Sequence, residues 1–283
     1  MKKICLAFVI FFNVIIFAGQ VQAETKLNLA ELEKTCDAVI GFYAIDTESG
    51  KKFSYKANER FSYCSTHKVF AVGELLRQKN ISELDKVVKY SETDILSYAP
   101  ITKEHVAEGM TLSEICSASI RWSDNTAANL ILKEIGGVEN FAAALRKIGD
   151  KVTKPARYEP ELNLFDTVKN RDTSTPKQIT KNLQAYVLGD VLSADKKILL
   201  KDWMLGNAVT DTLIKAGTPT GWKVLDKSGS GDFGARNDIA VVYPPDRKPI
   251  VMAIMSRRKE SNAKFDDALI AETAKLFFDS LGN

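Results

Sequence analysis

The sequence predicts an α+β protein, in which an antiparallel five-stranded sheet with flanking helices is interrupted by an inserted all-helical region. Three observations lead there. Strand-like runs lie near both ends of the chain and are scarce between about residues 62 and 205. The stretch between them carries apolar residues at helical spacing. Tight turns join neighbouring strand runs, which suits antiparallel pairing and not the long crossovers of parallel strands.

The first 23 residues stand outside this fold. Lys2 and Lys3 form a basic head, Ile4 to Gly19 is an apolar run broken only by Asn13, and Val21-Gln22-Ala23 offers a cleavage site. The run is shorter than the roughly 20 apolar residues that span a bilayer, so it reads as a secretory signal peptide cut after about Ala23. Cys5 comes too early in the run to be a lipidated cysteine. The expected mature protein is secreted across the inner membrane into the periplasm and has no membrane association.

The elements then follow in order. Residues 28–36 have a short helical period, Val39 to Ile45 is rich in β-branched and aromatic residues, Thr47-Glu48-Ser49-Gly50 supplies a turn, and Lys51 to Tyr55 returns as a strand. Residues 65–78 place Val69, Phe70, Val72, Leu75 and Leu76 at helical spacing. Residues 111–134 do the same, with Gly136-Gly137 as a stop, and Ala142–Ile148 and Thr180–Leu188 are further helices. Strands resume at Trp222–Ser228, Asp238–Tyr243 and Ile250–Met255, the second closed by Pro244-Pro245-Asp246. Residues 262–281 end the chain as a helix with Ile270, Ala274, Phe277, Phe278 and Leu281 on one face. Residues 24–61 and 206–283 are therefore expected to form a sheet domain, with residues 62–205 as a helical domain inserted into it and the active site between them.

Charge narrows the function. Of 39 basic and 36 acidic residues, the signal peptide removes two lysines, leaving an excess of one basic group. Such a chain has no bulk electrostatic attraction to nucleic acid or anionic membrane. Outside the signal peptide the cysteines are Cys36, Cys64 and Cys116, an odd number that leaves at least one free thiol. With His67 and His105 as the only histidines, a histidine-rich zinc site is not expected.

Four short motifs carry the chemistry: Ser65-Thr66-His67-Lys68, Ser123-Asp124-Asn125, Glu159-Pro160-Glu161-Leu162-Asn163 and Lys227-Ser228-Gly229-Ser230. Ser65 opens a run of helical period, where free N–H groups and the helix dipole favour negative charge. Lys68 returns to the same helical face three residues later and is expected to reach the Ser65 hydroxyl and activate it. His67 points elsewhere and reads as packing. Cys64 reads as a small buried residue beneath the site, and Trp122 as core packing. Ser123-Asp124-Asn125 reads as a bend between helical segments, with Asp124 expected to bond local backbone. Arg157 and Asp172 flank a segment rich in polar and turn-forming residues.

Together, in this order, the motifs resemble those of the class A serine β-lactamases, and the resemblance covers essentially residues 27–281. It implies the two-part fold shared with penicillin-binding proteins, no metal or cofactor, and a monomer acting on a small β-lactam. Ser65 would be the nucleophile; Lys68, Glu159 through water, or both would take its proton; Ser123 would be the donor to the leaving ring nitrogen, and Asn163 the partner of Glu159 in directing water. The Ser65 and Ser230 backbone N–H groups would form the oxyanion hole. Tyr98, Asn125, Lys227, Ser228, Gly229, Ser230 and Arg236 would bind substrate, with Gly229 keeping the wall low. Arg157 and Asp172 would close an Ω-shaped loop as an ion pair, and the Glu159-Pro160 bond would be cis.

Cys64 before Ser65, with Ser230-Gly231-Asp232, is closest in pattern to the cefotaxime-hydrolysing branch. The disulfide that many carbapenemases of this family make beside the nucleophile would need a cysteine at Gly231. The family's other frequent bridge would need one at Val72, which leaves Cys116 reduced. Penicillins and some cephalosporins are the expected substrates, with antibiotic resistance as the consequence. Two alternatives share the serine and lysine logic. A penicillin-binding D-Ala-D-Ala peptidase would lack the Glu159 and Asn163 pair and keep its penicilloyl ester. A non-hydrolytic β-lactam sensor would acylate once, and the absence of an effector domain or further membrane segment in this sequence speaks against it.

Overall fold

A computed structural model describes residues 24–166 and 168–282. The expected signal peptide lies outside the described residues. The central sheet contains β1 (Thr25–Lys26), β2 (Ala38–Asp46), β3 (Lys52–Tyr55), β4 (Lys223–Gly231), β5 (Ala235–Tyr243) and β6 (Ile250–Arg258) in the spatial order β1-β3-β2-β6-β5-β4. Five of these strands pair antiparallel, as the sequence suggests. The sixth, β1, is a two-residue parallel addition at the edge, paired Thr25 to Phe53. A strand so short has no alternation to read.

The helices among the described residues are α1 (Ala30–Cys36), α2 (His67–Gln78), α3 (Leu112–Arg121), α4 (Asn125–Glu134), α5 (Gly137–Lys147), α6 (Pro176–Val187), α7 (Ala194–Leu205), α8 (Ile214–Gly217) and α9 (Asp267–Leu281). Their apolar stripes explain the packing. Alternation along β5 and β6 sends Ile239, Val241, Val251, Ala253 and Met255 into one core, with Val69 and Phe70 of α2, Ile131 of α4 and Leu183 of α6. The intervening Ala240, Val242, Met252 and Ile254 meet Ile270, Ala274 and Phe277 of α9 in a second core. Both faces of the sheet are covered, so these strands read as nearly continuous apolar runs.

The helical run over 111–134 is two helices, α3 and α4, meeting at Trp122-Ser123-Asp124, where the sequence reads as a bend between helical segments. Ser123 takes φ 57°, which no helix interior allows, and Asp124 caps α4 by accepting from Ala127 N at 2.9 Å. Trp122 is 43% exposed, so it is not core packing. The unpredicted helix α7 buries Leu200, Trp203 and Met204 yet exposes Ile198 and Leu205, and this scatter of apolar residues hides its period.

Candidate active site

Ser65 lies in a 3₁₀ turn, Cys64–Thr66, that runs directly into α2. Cys64 holds φ 48°, an uncommon conformation for a residue with a side chain. The turn is tied to the sheet by Asn237 of β5, whose Nδ2 donates to Ser62 O at 2.8 Å and to Tyr63 O at 3.2 Å. Strand β4 packs against it as well. A Cβ on Gly229 would stand 2.9 Å from Ser65 N and 3.1 Å from Tyr63 O. The absent side chain therefore lets the strand approach the backbone of Ser65, a different reason for glycine from the expected lowering of the substrate-facing wall.

The carboxylate of Glu159 joins the two ends of the first motif. Its Oε1 accepts from Ser65 Oγ at 3.3 Å and lies 3.1 Å from Lys68 Nζ, while its Oε2 accepts from Asn163 Nδ2 at 2.6 Å. The direct Ser65–Lys68 hydrogen bond expected from sequence spacing is not what forms among the described residues. An ammonium has three protons to donate, and those of Lys68 face Glu159, Ser123 O at 2.7 Å and Asn125 Oδ1 at 2.6 Å. Lys68 and Glu159 are both buried. Burial lowers the Lys68 pKa, and the adjacent carboxylate opposes the drop. For Glu159, burial alone would raise the pKa, but the charge and hydrogen bond of Lys68 and the bond from Asn163 hold it below the usual carboxylate value.

Ser123 Oγ sits between two ammonium groups, 3.4 Å from Lys68 Nζ and 3.0 Å from Lys227 Nζ. Lys227 is fully buried on β4, and burial with the nearby Lys68 charge drives its pKa well down. A proton on this hydroxyl is easily passed on, because either neighbour stabilises the oxyanion left behind. Asn125 accepts from Lys68 through Oδ1, which fixes the orientation of its amide. Asp124, fully buried, bonds the backbone of Ile101 and Thr102 at 3.0 and 2.9 Å.

The remaining residues line or brace a crevice of about 390 Å³. Ser65, Ser123, Asn163, Ser228 and Ser230 face it, with half-exposed Tyr98 at the rim. Arg236 also reaches it, its Nε donating to Asp267 Oδ1 at 2.7 Å and its guanidinium 4.8 Å from the Phe265 ring centre. The Arg157 Nε donates to Asp172 Oδ2 at 2.6 Å, closing the loop that carries Glu159, and the Glu159-Pro160 bond is cis. Asp172 also accepts from Tyr63 Oη at 2.8 Å, which ties the loop to the nucleophile turn.

His67 Nδ1 donates to Cys64 O at 2.9 Å and the ring packs near Phe141, and burial lowers its pKa to about 4. It is a neutral packing residue, not a base for Ser65. Cys64 and Cys116 are buried free thiols, and Cys36 is a partly exposed one. Among the described residues no group of three or more His, Cys, Asp or Glu could hold a metal ion.

Sequence reasoning missed several residues. Asn129 of α4 clamps Glu159 by its backbone, donating from Nδ2 to Glu159 O and accepting from Glu159 N, both at 2.9 Å. Its place one helical turn beyond Asn125 was the available signal. Asn237, Phe265, Asp267 and Val209 had none, since only folding brings them to the crevice.

Comparison with known proteins agrees with this geometry. The model of the β-lactamase enzyme family matches residues 24–281. A β-lactamase of Bacillus amyloliquefaciens is 50% identical over 257 residues, covering 91% of this chain and 84% of that protein. β-Lactamase 3 of Bacillus cereus is 48% identical over 260 residues, covering 91% and 82%. The crystal structure of a class A β-lactamase from Clostridium kluyveri superposes with a TM-score of 0.89 at 51% identity, covering 90% of this chain and 97% of that one. A buried glutamate touching both the serine and the lysine of the first motif, on a fold shared along nearly the whole chain, places the protein in the class A β-lactamase family.

Proposed function

We propose that this β-lactamase opens the lactam amide of penicillins and some cephalosporins by two acyl transfers through Ser65. One observation carries the reading: Glu159 Oε1 touches both Ser65 Oγ and Lys68 Nζ while Asn163 holds Oε2. Ser65 Oγ bonds to the lactam carbonyl carbon as its proton passes to the Glu159–Lys68 pair. The Ser65 and Ser230 N–H groups receive the oxyanion, a role whose loss typically costs about 2.7–4 kcal/mol of barrier. Ser123 gives its proton to the ring nitrogen as the C–N bond breaks, and Lys68 or Lys227 replaces it. Glu159 and Asn163 then direct water onto the ester carbonyl carbon, Glu159 takes the water proton, and as the ester C–O bond breaks it returns that proton to Ser65 Oγ, freeing the serine. Tyr98, Asn125, Lys227, Ser228, Gly229, Ser230 and Arg236 orient the substrate, the lysine and arginine facing its carboxylate. The Arg157–Asp172 pair keeps the Glu159 loop in register.

Cys64 and the Ser230-Gly231-Asp232 sequence support a preference like that of the cefotaxime-hydrolysing branch. The leader at residues 1–23 supports export to the periplasm, and we take the mature enzyme as a monomer that confers resistance there. The division into residues 24–61 with 206–283 and residues 62–205 accords with sheet strands lying at both ends of the chain.

The test is Glu159→Gln. Incubation with penicillin followed by intact-mass spectrometry is expected to show a stable adduct on Ser65 while acylation continues. Unchanged steady turnover would remove Glu159 from deacylation. A stable adduct on the unmutated protein would instead favour the D-Ala-D-Ala peptidase or sensor reading.

A further inference from the structure

A second cavity lies away from the catalytic crevice, under the start of strand β4. Lys201, Asp202 and Leu205 of α7, Lys223 and Leu225 of β4, and Tyr243 at the end of β5 enclose about 430 Å³. That is within the typical range of roughly 300–1,000 Å³ for small-molecule sites. Its walls are apolar: Leu225 is buried, and Leu205 shows its side chain to the opening, 48% exposed. Its charge is one-sided. Among the described residues neither Lys201 nor Lys223 pairs with a carboxylate, whereas the Asp202 carboxylate is compensated by Arg121 Nη2 at 2.6 Å. Lys201 Nζ stands 6.0 Å from the centre of the Tyr243 ring. The Tyr243 hydroxyl is buried with no hydrogen-bond partner among the described residues.

These features are separate and point one way. An apolar floor takes a flat hydrocarbon body. Two uncompensated ammonium groups at the rim take an anionic head, while the ring of Tyr243 adds to the apolar wall. We propose that this cavity is a binding site for small amphipathic aromatic carboxylates, distinct from the β-lactam site. Leu225 and Lys227 lie on the same face of β4, so the two sites share a strand without sharing a lining residue.

The probe is 2-naphthoate, titrated calorimetrically into the mature enzyme at low salt, with neutral 2-naphthamide as control. Saturable binding of one naphthoate per chain is expected, with the amide weaker by about tenfold. The double variant Lys201→Glu, Lys223→Glu is expected to weaken naphthoate about tenfold or more. Arg236→Ala, which changes only the catalytic crevice, is expected to leave the affinity unchanged. Circular dichroism and melting temperature confirm that each variant is folded. Absence of saturable binding would overturn the proposal. So would equal affinity for the amide, unmutated affinity in the double lysine variant, or loss of binding in Arg236→Ala, which would place the anion in the catalytic crevice.

Discussion

Asn129→Ala isolates what holds the Glu159 carboxylate in place. Asn129 is not among the residues that line the crevice, yet it makes two 2.9 Å hydrogen bonds to the Glu159 backbone. A net hydrogen bond contributes about 0.5–1.5 kcal/mol, and truncation leaves a backbone N–H and C=O without partners, so about 2–3 kcal/mol of stability should be lost. For a chain of this size that is about 5–10 °C in melting temperature. The kinetic effect is separable. Without the clamp, the carboxylate is held only by Lys68 and Asn163, and a shift of about 1 Å in a catalytic group can cost on the order of 10²-fold. Thermal melting gives the first number. Rapid-quench mass spectrometry of the acyl-enzyme during penicillin turnover gives acylation and deacylation separately. The expected result is slower deacylation with the acyl-enzyme accumulating. A melting temperature lowered as stated, with deacylation at the unmutated rate, would refute the reasoning and assign the positioning to the side-chain contacts alone.

The other predictions rest on the same geometry. Gly229→Ala puts a Cβ within 2.9 Å of Ser65 N, so strand and nucleophile turn must separate; kcat should fall by about 10-fold or more, since oxyanion donors act at hydrogen-bond range. In the pH profile of kcat/KM, the acid limb should lie below the ordinary glutamate value because Lys68 and Asn163 hold the Glu159 pKa down, and the alkaline limb should lie below the ordinary lysine value because burial lowers Lys68 and Lys227. Asp226 and Asp238 occupy neighbouring positions on one face of β4 and β5, and burial raises both, Asp226 to about 7. The native state therefore retains a proton that the unfolded chain releases near pH 4, and this contribution to stability is lost as pH rises toward 7. Asp226→Asn should flatten the fall in melting temperature between pH 5 and pH 8, and an unchanged slope would contradict the assignment. A thiol reagent should label Cys36 on the native enzyme and reach Cys64 and Cys116 only after unfolding, because both are fully buried; rapid native labelling of Cys64 would show an open nucleophile turn.

Much of the fold was legible because it rests on local periodicity. Continuous apolar runs at 239–242 and 250–255 mark strands covered on both faces, and the Ile270, Ala274, Phe277 stripe marks the last helix, whatever the rest of the chain does. Helix α7 escaped because its apolar residues do not form one stripe, and β1 because two residues carry no pattern. The break at Ser123 was legible because serine, aspartate and asparagine favour a bend and a helix cap over a helix interior.

The catalytic residue types and their order were determined by the sequence alone, since serine, lysine and glutamate carry their chemistry wherever they stand. Which oxygen each proton faces was decided only in three dimensions. Lys68 is one helical turn from Ser65, yet its protons point to Ser123, Asn125 and Glu159, because those acceptors converge on it from a helix break and a loop. The supports of the site belong to tertiary structure for the same reason. Asn129, Asn237 and Asp267 are unremarkable letters until packing brings them to Glu159, the nucleophile turn and Arg236, and a contact between residues far apart in the chain leaves no periodic trace along it.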